Sequence, residues 1–153
     1  VVENGANARP SQGYAGDIDA KQAWKLLEDN DEAVLIDVRT KAEWSFVGIP
    51  DLSRLNKECV FVEWQLFPLG PRDTDFMAEL AAVCEQRHVT KNAPLLFLCR
   101  SGSRSRSAAM ACTEAGFQSC FNVSDGFEGD LDQLRRRNSV NGWKQSGLPW
   151  RQS

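Results

Sequence analysis

Residues 95–112 read "LLFLCRSGSRSRSAAMAC", and the way this stretch divides decides the fold. The run "APLLFLC" (93–99) is the most apolar in the chain and predicts a central strand buried on both faces. "SRSAAMACTEAGF" (105–117) carries small helix formers and predicts a helix, with Gly116 suited to a left-handed C-cap. Only arginine, serine and glycine lie between them. Cys99 therefore closes a strand that feeds directly into a helix, and in open α/β sheets that edge is where ligands bind.

Working outward, Asp19 and Gln22 form a capping-box pattern ahead of Ala23, Trp24, Leu26 and Leu27, the buried stripe of a first helix ending near "EDND" (28–31). "AVLIDV" (33–38) predicts a short buried strand, and "TKAEWSFVG" (40–48) a short helix capped by Thr40 and closed by Gly48. "CVFVEW" (59–64) predicts another strand, "FPLGPRD" (67–73) a loop, and "TDFMAELAAVCEQRH" (74–88) a helix that places Cys84 in the core. "SCFNV" (119–123) follows as a strand, and "VNGWKQSGLPW" (140–150) as a terminal helix and tail. Residues 1–13 are polar and rich in Gly, Asn and Pro, which predicts a disordered lead-in. Strands alternating with helices predict an α/β domain over residues 14–150, with a mostly parallel sheet between helices and a tail at 151–153.

The 153 residues suit one domain, with 42% hydrophobic and 25% charged residues. A net charge of −3 argues against a general nucleic-acid binder, so a basic cluster in this chain has a local purpose. No apolar run approaches the length of a membrane span, and the opening "VVENGANARPSQG" lacks a basic-then-apolar signal pattern. The five cysteines are odd in number, irregular in spacing and free of any CxxC, which argues against a disulfide framework or zinc site and for a reducing, cytoplasmic compartment. Cys112 and Cys120 read as buried residues of a helix face and a strand. Asp37 and Arg39 read as a buried ion pair or loop anchor, and His88, the lone histidine, as a solvated or helix-capping residue. Asn122-Val123-Ser124 matches a glycosylation sequon but sits at a strand end. Arg135 to Arg137, close to Glu128, Asp130 and Asp132, read as a mixed-charge surface.

The loop after Cys99 favours an anion. Gly102 and the serines let the backbone curl so that successive N–H groups point inward, and the following helix turns its positive end to the same place. Arg100 and Arg104 add full charges that favour a thiolate, the nucleophilic form, and recruit an anionic substrate. Ala108, Ala109 and Ala111 let the helix pack close to the sheet. A cysteine ending a buried strand is often just a small hydrophobe. The glycine, the flanking arginines and the strand-to-helix junction together favour the functional reading.

The combination resembles the rhodanese family of sulfurtransferases. "CRSGSRS" matches that family's active-site loop, "LIDVRTKAEW" (35–44) its early strand and helix, "AGFQSCFNVSDGFEGD" (115–130) its later strand and turn, and "GWKQSGLPW" (142–150) its ending. The four segments occur in the family's order. "FVGIPDL" stands where many members have "GHIPGA". The resemblance implies a three-layer sandwich with a five-stranded, mostly parallel sheet. It also implies a Cys99 persulfide, loaded from an anionic donor such as thiosulfate or another persulfide and discharged to cyanide, a thiol or a protein acceptor. Main-chain amides of the loop and the hydroxyls of Ser101, Ser103 and Ser105 would hold the persulfide, with Arg100 and Arg104 positioning the donor around Gly102. No metal or organic cofactor is implied.

Two rivals use the same scaffold. A cysteine-dependent phosphatase or arsenate reductase needs Cys-x5-Arg, but that position is Ser105, and Leu98 stands where tyrosine phosphatases place histidine. A non-catalytic binding module commonly lacks the cysteine that this chain keeps.

Overall fold

The computed structural model describes residues 13–66, 70–71 and 73–152. The lead-in expected over 1–13 lies outside them except for Gly13, as do residues 67–69 and 72 of the expected loop.

In chain order the elements are β1 (Gly16–Ile18), α1 (Ala20–Asp29), β2 (Val34–Asp37), α2 (Lys41–Phe46), β3 (Ile49–Pro50), a 3₁₀ turn (Ser53–Leu55), β4 (Val60–Phe61), β5 (Gln65–Leu66), β6 (Gly70–Pro71), α3 (Asp73–Gln86), β7 (Pro94–Leu98), α4 (Ser103–Glu114), β8 (Ser119–Val123) and β9 (Trp150–Arg151). Both predicted N-caps close reciprocal capping boxes, Asp19 with Gln22 and Thr40 with Glu43. The main sheet has five strands in the order β1-β8-β7-β2-β4, and all its pairings are parallel.

Strand parity assigns the two faces. Leu95, Phe97 and Cys99 of the β7 segment pack with Phe76, Leu80, Ala108, Ala109 and Cys112, the α3 and α4 side. Leu96 and Leu98 pack with Ala20, Ala23, Leu27, Phe127 and Trp143, the α1 and C-terminal side. Side chains alternate along a strand, so Cys99 is delivered to the same face as α4. Ala108 and Ala109 are fully buried, so the helix can lie close enough for its first turn to meet the sulfur.

Three expectations need correction or extension. No terminal helix spans 140–150; the segment is a series of turns. Gly142 and Gly147 take left-handed φ values of 106° and 79°, and Pro149 follows, so a helical turn closed by Ser146 N–H to the Gly142 carbonyl cannot propagate. β9 follows these turns, and its Arg151, expected as tail, pairs antiparallel with Ile49. The edge strand β1 has no apolar run to announce it. It forms because the β8 backbone offers it a ladder, with Asp17 opposite Asn122. Among the described residues no helix is long and apolar enough to cross a membrane.

Candidate active site

The sulfur of Cys99 sits at the beginning of α4. The Gly102 N–H donates to Sγ at 3.1 Å, and Ser105 Oγ lies 3.2 Å from it. Cys99 is only 1% exposed, yet its surroundings are polar on the helix side. Gly102 is the N-cap and supplies no side-chain cap, so the first-turn amides keep the donor capacity that helix starts leave unmet. The loop's carbonyls are drawn the other way. Phe127 N–H holds the Cys99 carbonyl at 2.8 Å, and the Glu128 and Gly129 amides hold the Arg100 carbonyl at 3.0 and 3.2 Å. With carbonyls tied outward to the turn after β8, amides are left for the sulfur side, which is the physical content of an anion nest.

Gly102 is required by space as well as by φ (109°). A Cβ there would collide with the Ser124 carbonyl oxygen and stand 3.0 Å from its carbon.

The expected site residues divide into three groups. Cys99, Gly102 and Ser105 converge on one point. Arg100 and Ser103 are exposed and Ser101 is half-exposed on the loop's outer side. Arg104 is engaged elsewhere: its guanidinium makes a fork-on-fork pair with Glu43 of α2, 2.7 Å to Oε1 and 2.9 Å to Oε2. Much of its charge is therefore offset by a carboxylate. Burial would push Glu43 up, but the hydrogen bonds and charge of Arg104, with the Thr40 amide, hold it at about 2 rather than 4.5. The resulting stabilisation is fully present above about pH 4.5 and is lost as the pH falls through 2. Glu43→Gln is expected to lower stability at neutral pH by about 2 kcal/mol. It should also flatten that acid branch, read as the urea midpoint against pH.

Sequence reading passed over four residues that shape the site: Glu43, Gly126, Asn122 and Asp17. The capping box in "TKAE" pointed to Glu43 as a helix residue, but nothing local linked it to Arg104, 61 positions away. Gly126 lies within "SDGFEGD", where nothing local marks it off from an ordinary turn glycine. The sequon at Asn122 proves sterically closed, since that side chain is 2% exposed on the α4 face of β8. Asp37 and Arg39 form a fully buried ion pair, with Arg39 Nε and Nη2 at 2.9 and 2.7 Å from the carboxylate and Nη2 also donating to the Gly48 carbonyl. By parity they lie on the face opposite Cys99, and the guanidinium stacks 4.2 Å from the Phe127 ring centre. The pair is thus both ion pair and anchor for the turn that holds the loop. Cys112 and Cys120 are buried, and burial pushes both thiols up, Cys120 to about 12.

Residues 15–153 match the family described as the STR4 middle domain. The crystal structure of Rv0390 from M. tuberculosis superposes with a TM-score of 0.80 at 51% identity, covering 92% of this chain and 99% of that one. An uncharacterized protein of Rickettsia conorii is 42% identical over 129 residues, 84% of this chain and 91% of its own length. The rhodanese-like domain-containing protein 4 of Arabidopsis thaliana chloroplasts is 28% identical over 131 residues, 86% of this chain and 24% of that protein. The thiosulfate sulfurtransferase GlpE of Actinobacillus pleuropneumoniae is 26% identical over 133 residues, 87% of this chain and 90% of its own.

Proposed function

The chain belongs to the rhodanese family, as its rhodanese-like and thiosulfate sulfurtransferase relatives indicate, and from that premise we propose that it moves a sulfane sulfur through a persulfide on Cys99. The observation that carries this reading is the sulfur's seat between the Gly102 amide and the Ser105 hydroxyl at an uncapped helix start.

The Cys99 thiolate attacks the outer sulfur of the donor. For thiosulfate, a new Sγ–S bond forms, the donor's S–S bond breaks, and sulfite leaves with the electron pair. The negative charge then rests on the outer persulfide sulfur, where first-turn amides of α4 and the helix's positive end favour it. An acceptor nucleophile, cyanide or a thiol, next takes that sulfur and returns Cys99 as thiolate. Arg100, exposed on the rim, draws the anionic donor in, while Arg104 with Glu43 pins α2 against the loop. Thiosulfate as donor is supported by the name of the Actinobacillus relative. Ser105 at the place a phosphatase needs arginine is turned to the sulfur, which supports sulfur transfer over phosphoryl transfer. Five free cysteines, all buried, support a reducing, cytoplasm-like compartment.

Intact mass measurement after incubation with thiosulfate tests the reading. The expected result is a gain of one sulfur atom that cyanide removes and that Cys99→Ser cannot acquire. An unchanged mass in the folded protein would instead favour a non-catalytic module.

A further inference from the structure

Asn122 and Asp17 lie on adjacent strands, opposite one another in the β1–β8 register, and neither touches the sulfur. They are linked to it by a continuous line of hydrogen bonds. Tyr14 O–H donates to Asp17 Oδ1 at 2.8 Å, and Asn122 Nδ2 donates to the same oxygen at 3.0 Å. Asn122 Oδ1 accepts from Ser105 Oγ at 2.5 Å, and Ser105 Oγ stands 3.2 Å from Cys99 Sγ.

The direction of this line is dictated by its end. A carboxylate only accepts hydrogen bonds, so it takes the N–H side of the Asn122 amide and turns the amide's oxygen toward Ser105. A serine hydroxyl has one proton. Given to Asn122, that proton is unavailable to Cys99, and Ser105 shows the sulfur a lone pair. Burial and the neighbouring Asp17 carboxylate push the Tyr14 hydroxyl up, so the far end remains a donor too.

We propose that Asn122, oriented by Asp17, is a positioning residue that makes Ser105 a hydrogen-bond acceptor toward Cys99. The proposal rests on the sulfurtransferase reading for its purpose but not for its test. With that proton committed to Asn122, Ser105 can meet Cys99 only by accepting an S–H. To donate to a thiolate, Ser105 would have to abandon Asn122 and leave two oxygens facing each other without a proton. The line therefore disfavours charge on Sγ itself. A persulfide carries its charge on the outer sulfur, about 2 Å farther along the S–S bond. Its Sγ is neutral, so the loaded form escapes the penalty. Ser105 and the α4 amides thus act on different charges: the serine disfavours charge on Sγ, and the amides favour it on the outer sulfur of the loaded form.

Other charges surround the site. Arg104 of α4, within electrostatic reach of Cys99 and Asp37, is paired with Glu43 of α2. Asp37 of β2 is paired with Arg39, and Arg106 of α4 acts on Tyr14. Arg100 lies on the loop, Glu63 accepts from the Lys41 amide, and Asp125 after β8 accepts from the Ala20 and Gly142 amides. None of these groups is altered in the test.

Asp17→Asn replaces the acceptor-only carboxylate with a group that can donate. The Asn122 amide can then turn over and donate to Ser105, whose proton is released toward the sulfur. The ionisation of Cys99 is read as ultraviolet thiolate absorbance against pH, each protein minus its own Cys99→Ser counterpart. Asp17→Asn is expected to move this curve to lower pH by about one unit, a tenfold gain in thiolate at a given pH below the midpoint. Asn122→Leu should act in the same direction. In a Ser105→Ala background, Asp17→Asn should lose most of its effect, because only the loss of a nearby charge remains. No shift from Asp17→Asn, or an equal shift with and without Ser105, overturns the proposal. The titration uses no sulfur donor, so its outcome is independent of whether the protein loads sulfur.

Discussion

Gly126→Ala is expected to abolish most sulfur loading, with a rate loss on the order of a hundredfold, while leaving the sheet folded. Gly126 sits in the turn after β8 with φ at 69°, a region that an alanine enters at a cost of about 1–2 kcal/mol. Space adds to strain. A Cβ there would overlap the Arg100 carbonyl oxygen and stand 2.5 Å from its carbon and 2.6 Å from the Ser101 nitrogen. Those atoms are backbone and cannot swing aside like the end of a side chain, so the loop itself must move. The amides next to Gly126 hold the carbonyls of Cys99 and Arg100, so displacement would rotate those peptides and pull N–H groups away from the sulfur. Gly147→Ala is the control, because it imposes a similar φ (79°) with nothing within 4 Å. It should cost stability and leave loading near that of the parent. Equal loading by the two variants would show that the turn does not set the loop.

Arg39→Met is expected to destabilise the whole domain by about 3–5 kcal/mol, the penalty for leaving one charge of a buried pair alone. Both partners are 0% exposed, so water cannot replace the lost guanidinium. Burial pushes Arg39 down, but the Asp37 carboxylate and its hydrogen bonds more than offset this and hold it above its ordinary value. The substitution also removes the bond to the Gly48 carbonyl and the stack on Phe127, the residue whose amide holds Cys99. Urea unfolding measures the loss. A second substitution, Asp37→Leu, is expected to recover part of it, because well-packed apolar residues often equal a buried ion pair. A loss below about 1 kcal/mol for Arg39→Met would mean that water reaches the pair.

These two positions show how differently the molecule was legible. "DVR" announced its pair because Asp37 closes a strand and Arg39 follows two residues on, still in nearly extended chain, where alternate positions share a face. Gly126 carries no such signal. A glycine in "SDGFEGD" is an ordinary turn residue until the Arg100 carbonyl is placed against it, 26 positions back along the chain. Arg104 was readable as a cation near the sulfur, but its partner Glu43 belongs to another helix.

Sequence alone determined what depends on neighbours along the chain. Capping boxes at Asp19 and Thr40, the apolar run ending at Cys99, the Gly102 bend and the helix beyond it are all local consequences of side-chain period and backbone freedom. Order along the chain then placed the cysteine at a strand's carboxyl end. Tertiary structure decided what depends on distance through space: the edge strand β1, the turns and β9 in place of a terminal helix, and the Glu43–Arg104 fork. It also set the direction of the hydrogen bonds from Asp17 to Cys99. A polar side chain's role follows from which donor or acceptor faces it, and that partner is chosen by the packing of strands and helices far apart in the chain.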